Sequence, residues 1–560
     1  MVAQKRKDFL YLFLAMVIII LINIVSSFVF TRIDFTKEKR FTVSDISKEV
    51  LANVKEPVKI TVYLEGDFPS AFKRLRNATK DLLNDFRAYS GASIQFEFVD
   101  PIAGRNGQEQ QALFEELYQK GLEPTNLSVK TEEGMSQKTI FPAALVSYEG
   151  REIPVKLLQN RMGLSPDEVL NNSIQNLEYS FISAIRKVAS GGKPRVAFTE
   201  GHGELTDVQL QDAMKALSDA YEVGRIDLTQ VNQAGLDKLK LLIIPKPNTA
   251  FSELEKYKID QFLMNGGKIF WVIDQVNAEL DSMRRGAGEQ LAFQKNLNLD
   301  DQLFRYGIRI NYDLIGDMNC LQIPVNVGQI GGEGQIQMVP WLFYPIIMPV
   351  SAHPLVKNLD GIKTEFISTI DTIGTPGLRK EILLTTSPFN RSLAIPNLIS
   401  LNMVEETPDP KDFQSAPKAV CVLVEGKFTS VFKNRPLPEP HTSAGFKENS
   451  SFTKMIVFSD GDILRNQVGQ DGFAYPLGED RYSGQSFGNK TLLLNIADFL
   501  TNDADLIQLR SKEIKLRLLD KGRLKAEKSS WQLINTLIPV IVVILLGIFQ
   551  HFYRKRKYAV

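Results

Sequence analysis

Two long stretches without a charged side chain, one near each end, set the first limit on how this chain can fold. Phe9 to Phe30 contains no Asp, Glu, Lys or Arg. As a helix rising about 1.5 Å per residue, such a stretch crosses the roughly 30 Å hydrocarbon core of a bilayer. Its apolar residues face every side, whereas a core helix of a soluble protein needs only one apolar stripe. Lys5, Arg6 and Lys7 precede it, and no small-residue cleavage site follows. It is also too long for the apolar core of a secretory signal, so residues 9–30 read as an uncleaved transmembrane helix. The second stretch, 531–553, is interrupted only by residues such as Asn535, Thr536, Pro539 and Gly547, which membrane helices tolerate. Trp531 and Tyr553 stand where interfacial aromatics belong, and Arg554, Lys555, Arg556 and Lys557 follow.

Two spans put both tails on one side. The basic cluster after the second span predicts that the tails, 1–8 and 554–560, are cytoplasmic. Basic residues also occur on the body side, at Arg32, Lys37, Lys39 and Arg40 and in a basic connector over 521–530. Long domains translocate largely regardless of charge, so these weigh less, and the body is expected outside the cytoplasm.

The 560 residues carry 66 Lys+Arg against 65 Asp+Glu. No overall basic field is available to hold nucleic acid. The two cysteines, Cys320 and Cys421, exclude a disulfide framework or a Cys-rich metal site. They leave either one disulfide or two buried free thiols.

The fold class expected between the anchors is α/β. In a first domain, 41–190, Val58, Ile60, Val62 and Leu64 alternate with polar or amphipathic neighbours, the period of a half-buried strand. Phe72, Leu75, Leu82, Leu83, Phe86 and Tyr89 then follow at helical spacing, and Ile94, Phe96 and Phe98 alternate again. This is a βαβ unit. Strand-like runs at 127–130, 143–148 and 153–157 and a long helix over 166–189 complete a thioredoxin-like layer. No Cys lies in it, which rules out thiol redox chemistry there.

After a linker at Ser190-Gly191-Gly192-Lys193-Pro194, a second domain, 194–520, reads as doubly wound and flavodoxin- or amidotransferase-like. Strands are expected at 195–199, 241–245, 268–273 and 455–458, with a helix at 490–500. Ser252 and Glu255 make a capping box for the helix after the second strand. Residues 275–454 read as a β-rich excursion from this sheet, with strand candidates at 308–312, 382–385 and 420–424. Gly- and Pro-rich loops are expected at 328–334 and 436–440. Ile514, Leu516 and Leu518 suggest a last strand.

In doubly wound sheets, ligands bind beyond the carboxyl ends of the strands. Three such ends are polar here: Glu200, His202 and Glu204; Asp274; and Asp460 and Asp462. They are the candidate ligand or partner cleft. Turn chemistry accounts for the same residues, because Gly201, Gly203 and Gly461 permit tight turns and carboxylates cap helix N-termini. No catalytic set, resident metal or cofactor is assigned. Gly484-Gln485-Ser486-Phe487-Gly488 matches G-x-S-x-G, but the polar run before it is not the buried strand that a nucleophile elbow requires. Gly266-Gly267-Lys268 continues into Ile269 and is no phosphate-binding loop. Any energised process would therefore draw its energy from another subunit.

Taken in order, the anchor, Arg40-Phe41-Thr42-Val43-Ser44, the 59–64 strand, Phe96 to Pro101, Thr199-Glu200-Gly201-His202-Gly203-Glu204, Asp260 to Asp274, Ile456 to Asp462, Leu492 to Leu500 and the Pro-containing C-terminal span form a familiar series. The chain resembles the GldG family of gliding-motility-associated ABC-transporter auxiliary proteins, and the broader ABC-transporter auxiliary family, over nearly its whole length. Its Gly-His-Gly-Glu turn is also similar to the sugar-amidotransferase-like domain shared with intraflagellar transport proteins. The resemblance implies an inner-membrane, substrate-binding-like subunit with a periplasmic body. It implies a polytopic permease partner (GldF-like) and, through it, a cytoplasmic ATPase (GldA-like); a periplasmic protein or envelope component is the ligand expected for the body, and the balanced charge argues for no nucleic acid. Neither Cys320 nor Cys421 has the strand-to-helix setting of the amidotransferase nucleophile. Two alternatives stand beside a non-catalytic accessory subunit: a periplasmic enzyme acting on glycans or amides through the Glu200–Glu204 turn, and a purely structural scaffold.

Overall fold

The computed structural model describes residues 11–21, 42–501 and 521–558, with short breaks of which 160–164 and 440–444 are the longest. The chain divides into two compact units, Met1–Lys512 and Glu513–Val560.

The body begins with the helix Asp45–Ala52, whose N-cap Ser44 accepts the Ser47 amide. A four-stranded sheet follows in the order Ile94–Phe98, Val58–Val62, Ala143–Tyr148, Arg151–Lys156. The first pair is parallel and the others are antiparallel. Val58, Ile60 and Val62 alternate inward, as their period requires, onto Leu75, Leu83 and Phe86 of the helix Ser70–Tyr89. Leu177, Phe181 and Ile185 of the helix Pro166–Ala189 complete this core. The strand expected at 127–130 belongs to a separate hairpin, Thr125–Thr131 with Gly134–Ile140. Lys187 of the long helix reaches Asp498 at 2.8 Å, and Asp498 also accepts the Tyr221 hydroxyl at 2.5 Å. One carboxylate thus ties the helix Pro166–Ala189 to Tyr221 and the helix Asn489–Thr501.

Beyond the long helix, the body is built on a seven-stranded sheet. Five strands are parallel, in the order Glu222–Asp227, Arg195–Glu200, Leu241–Pro245, Lys268–Val272, Asn449–Phe458. In chain order that is 2-1-3-4-5, which reverses direction between the first and third strands. Alternate residues serve two cores. Phe198, Ile243, Phe270 and Val272 pack on one side with Leu210, Leu217 and Ile496 of the helices Asp207–Ser218 and Asn489–Thr501. Ala197, Leu242, Ile244 and Trp271 pack on the other with Ile259, Phe262 and Leu263 of the helix Glu253–Met264. A sheet covered on both faces needs apolar strands throughout, and Leu241–Pro245 is buried at every position.

The 275–454 segment departs from its expected form. Its strands Leu378–Thr385 and Ala419–Thr429 return to the central sheet, extending it antiparallel beyond Asn449–Phe458. Val420 to Val424 are buried on both faces, so they need the same two covering layers as the parallel strands. Ile308–Ile310 does lie outside that sheet, paired with Ile370–Thr372. The loop expected at 328–334 is crossed by two long antiparallel strands, Cys320–Ile330 and Glu333–Ile347. The connector expected at 521–530 forms the beginning of a single helix, Lys521–Tyr558; its Leu, Lys, Arg, Ala and Glu residues are good helix formers and outweigh Gly522 near the first turn. The strand expected near Ile514, most of the 9–30 span and part of the 190–194 linker lie outside the described residues.

Within the second unit, Glu527–Arg556 is long and apolar enough to cross a membrane, with a mean hydropathy of 2.4 and no buried residues in its apolar window. Near the N-terminus, Tyr11–Leu21 is a shorter apolar helix.

Candidate functional site at the carboxyl ends of the central sheet

The strand Arg195–Glu200 ends in a turn that only glycines complete comfortably, since Gly201 and Gly203 have φ of 108° and 69°. The turn drives His202 inward. Its ring stacks on Phe251 with centroids 3.9 Å apart. Its Nε2 lies 3.2 Å from Glu255 Oε1 and its Nδ1 3.5 Å from Glu204 Oε1. Its amide donates to Glu204 Oε2 at 2.6 Å. Glu255 is also the third residue of the capping box with Ser252, so its position is fixed by the helix start. Burial acts to lower the His202 pKa, but the two carboxylates outweigh it and raise it. Against burial, hydrogen bonding to His202 lowers the pKa of Glu204, and the Ser252 hydrogen bonds, followed by His202, lower that of Glu255.

A second cluster joins the ends of the next three strands. Lys246, immediately after Leu241–Pro245, lies 2.6 Å from Asp462 Oδ2, 3.2 Å from Asp274 Oδ2 and 2.6 Å from Glu279 Oε1. Arg465 closes the ring, 3.0 Å from Asp462 Oδ1 and 3.2 Å from Glu279 Oε2. The Gly461 amide donates to Asp274 Oδ1. Asp460 accepts the Asp462 amide on Oδ1 and the Glu365 amide on Oδ2, both at 2.7 Å. Burial alone would raise the Asp462 pKa, yet Lys246 and Arg465 bring it down to about 2. Asp460 moves the other way, raised by burial and by the neighbouring Asp462 and Asp274 charges. Lys246 stays charged despite full burial, because three carboxylates surround it.

The two clusters meet through the loop after Leu241–Pro245. Asn248 donates through Nδ2 to the Gly203 carbonyl at 2.5 Å and accepts Lys295 Nζ on Oδ1 at 2.8 Å. Lys295 Nζ is in turn 3.6 Å from Asp274 Oδ2. Of the six residues singled out in the sequence, Asp274, Asp460 and Asp462 therefore converge, His202 and Glu204 form the adjoining cluster, and Glu200 stands apart. Glu200 pairs at 3.1 Å with Arg225 of the neighbouring parallel strand. Sequence reading missed Lys246, Glu279, Arg465, Glu255 and Lys295. Lys246 carried a usable signal, since it follows a wholly apolar strand just as Asp274 follows the next one.

Ligand oxygens of Asp274, Asp460 and Asp462 lie within 4.8 Å of one another, a spacing that could hold a cation. The Lys246 ammonium already lies against two of these carboxylates. The arrangement is a buried ion network that ties together the loops after the third, fourth and fifth parallel strands. Elsewhere, Cys320 and Cys421 are both free thiols. Burial pushes Cys320 up to about 12 and Cys421 higher still, which keeps both from forming a thiolate. Ser486 is exposed in the two-residue strand Gln485–Ser486, with no buried strand leading into it.

Comparison with known proteins adds the following. Residues 193–496 match a family described as an ABC-type uncharacterized transport system. Residues 37–147 match a domain of unknown function. An uncharacterized protein of Borreliella burgdorferi (strain ATCC 35210 / DSM 4680 / CIP 102532 / B31) is 24% identical over 575 residues, covering 99% of each chain. Among solved structures, the mmIFT52 N-terminal domain is 12% identical and matches 55% of this chain and 98% of its own, with a TM-score of 0.32. The exo-beta-1,4-mannosidase Op5Man5 from Opitutaceae bacterium strain TAV5 is 10% identical and matches 63% of this chain and 40% of its own, with a TM-score of 0.18. Neither structural likeness is close enough to carry an argument. The family match spans more than half of the sequence, and the chain belongs to this ABC-type transport family of auxiliary components.

Proposed function

We propose that this protein is a membrane-anchored, non-catalytic accessory subunit of an ABC transporter, holding a large α/β body against one face of the bilayer. The observation that carries this reading is the helix segment Glu527–Arg556, which is apolar, long enough to span, and unburied along its length. A helix apolar on all sides finds a suitable environment only in lipid or against other membrane helices.

In the fuller form of the proposal, residues 9–30 form a second span and both termini are cytoplasmic. The body lies in the periplasm, as a thioredoxin-like layer followed by a flavodoxin- or amidotransferase-like domain. The spans pack on a GldF-like permease served by a GldA-like ATPase, in a system supporting gliding motility or associated secretion. The carboxyl ends of the central sheet, around Glu200, His202, Glu204, Asp274, Asp460 and Asp462, are the face assigned to the envelope ligand or partner. Their place at the carboxyl ends of the parallel strands, with Glu200, His202 and Glu204 beside the switch in strand order, supports that choice.

Affinity purification from gently solubilised membranes, with identification of the co-purifying chains, tests the reading. Recovery of a polytopic permease is the expected result, and repeated recovery of the chain alone would count against it. Cysteine-accessibility labelling of both tails and of the body tests the topology.

A further inference from the structure

Away from the strand ends, a cavity of about 680 Å³ is lined by Arg284, Val325, Leu401, Tyr475, Arg481 and Tyr482, among others. Along the chain, parts of its lining adjoin members of the buried ion network. Glu279 directly precedes the helix Leu280–Arg285 that carries Arg284. Gln467, two residues beyond Arg465, accepts the Arg481 amide on Oε1 at 2.8 Å.

Two guanidinium groups converge here on one neutral oxygen. Arg284 Nη1 donates to the Tyr482 hydroxyl at 2.8 Å, and Arg481 Nη2 donates to the same oxygen at 2.5 Å. Their remaining described contacts are to carbonyls, Pro324 at 3.2 Å for Arg284 and Val468 at 3.0 Å for Arg481. The guanidinium of Arg481 also lies 4.7 Å from the centre of the Tyr482 ring, and that of Arg284 5.7 Å from it. Arg481 Nε is buried with no hydrogen-bond partner. Among the described residues, neither guanidinium has a carboxylate within ion-pair distance; Asp281 acts on Arg481 only from farther away.

Carboxylate pairing is common but not universal among the buried cations near the sheet: Lys258 Nζ donates to the Leu228 and Thr229 carbonyls. Lys246, Lys295, Arg225 and Arg465 each have at least one carboxylate partner. Two positive charges brought to one phenol repel each other, and an anion beside them would relieve that repulsion. Guanidinium forks match the oxygens of a phosphate or carboxylate in pairs. Val325, Leu401 and the Tyr475 side chain supply an apolar wall next to the charged end. The volume is in the range of small-molecule sites.

We propose that this cavity binds a small organic oxyanion, a phosphate ester or carboxylate with a flat apolar body. Arg284 and Arg481 hold the anionic group, and the Val325–Leu401–Tyr475 wall holds the body. The site does not depend on membrane anchoring or on a permease partner.

Calorimetric titration of the detergent-solubilised full chain with phenyl phosphate and with benzoate tests the proposal, with phenol as the neutral control. Saturable binding of at least one anion is expected, and phenol should not compete with it. Arg284→Gln and Arg481→Gln should each weaken that binding by about tenfold or more, as expected for a lost charge-assisted hydrogen bond. No saturable binding of either anion, phenol binding as tightly as the anions, or variants that bind like wild type would each overturn the proposal. Arg284 is exposed, so Arg284→Gln keeps the test decisive if Arg481→Gln lowers the folded fraction.

Discussion

Lys246 Nζ lies 2.6 Å from Asp462 Oδ2, with side-chain exposures of 4% and 3%. The contact joins the ends of two parallel strands that are not adjacent, Leu241–Pro245 and Asn449–Phe458, with Lys268–Val272 between them. A buried pair of this kind adds little compared with an apolar pair of the same shape, but losing one member leaves a charge stranded in a dry site. Lys246→Met would remove the only cation shared by Asp274, Asp462 and Glu279 among the described residues. Lys295, at 3.6 Å from Asp274, and Arg465 compensate in part. The expected loss is about 3–5 kcal/mol, read from urea unfolding of the solubilised chain. A loss under about 1 kcal/mol, the scale of a surface pair, would show that the network does not hold these loops.

The same geometry gives a metal prediction. With Lys246 in place, millimolar Mg²⁺ or Ca²⁺ should leave the melting temperature of the wild type unchanged, because Lys246, Lys295 and Arg465 already supply the cations that face Asp274, Asp462 and Glu279. In Lys246→Ala, Asp274, Asp460 and Asp462 keep ligand atoms within 4.8 Å of one another. A cation should then recover part of the lost stability by mass action. Stabilisation of the wild type by either ion would instead mean that the cluster is a metal site and that Lys246 yields to the ion.

How far the sequence disclosed all this depends on the range of each signal. The strand Val58–Val62 was legible because one buried face imposes a two-residue period, and Leu241–Pro245 because two buried faces make it wholly apolar. Glu222–Asp227 escaped notice because it is an outer strand of the sheet with no fully buried residue and so no alternation. At the site, the carboxylates could be found at strand ends one by one, but their partners could not. Lys246 and Asp462 are 216 residues apart, and no local pattern records which cation meets which acid. Arg284 and Tyr482, 198 residues apart, pose the same problem.

His202 predicts a pH dependence with a definite sign. Its folded pKa is raised above the ordinary value of 6.5, because Glu204 and Glu255 outweigh burial. The stability it contributes is therefore fully present below about pH 6.5 and is lost as pH rises through the folded pKa. His353 works in the opposite direction, its pKa lowered by burial, so the raw stability curve of the wild type mixes the two. The difference between wild type and His202→Gln isolates the first. It should shrink steadily as pH rises from about 6 to 8, in thermal melts of matched samples. A difference that is constant or grows over that range would mean that His202 is neutral in the fold and held by packing on Phe251 alone.

The C-terminal helix offers a test of membrane insertion that does not involve the body. Trp531 to Tyr553 includes Val542 near its middle, with apolar residues on both sides. An Arg at the centre of a spanning helix costs about 2.5–3.5 kcal/mol of insertion free energy. The segment's apolar side chains are exposed all round, so no protein core competes with lipid for them within this unit. A soluble reporter fused to residues 521–560 should stay in the membrane pellet after an alkaline carbonate wash. The double change Val542→Arg and Leu545→Arg should release it to the supernatant. Pro539 lies within this helix, and Pro539→Leu should leave retention unchanged, because insertion follows apolar length and membrane helices tolerate proline. If the wild-type segment washes off as readily as the doubly charged one, this helix is not an anchor, and its apolar surface must be covered by another protein.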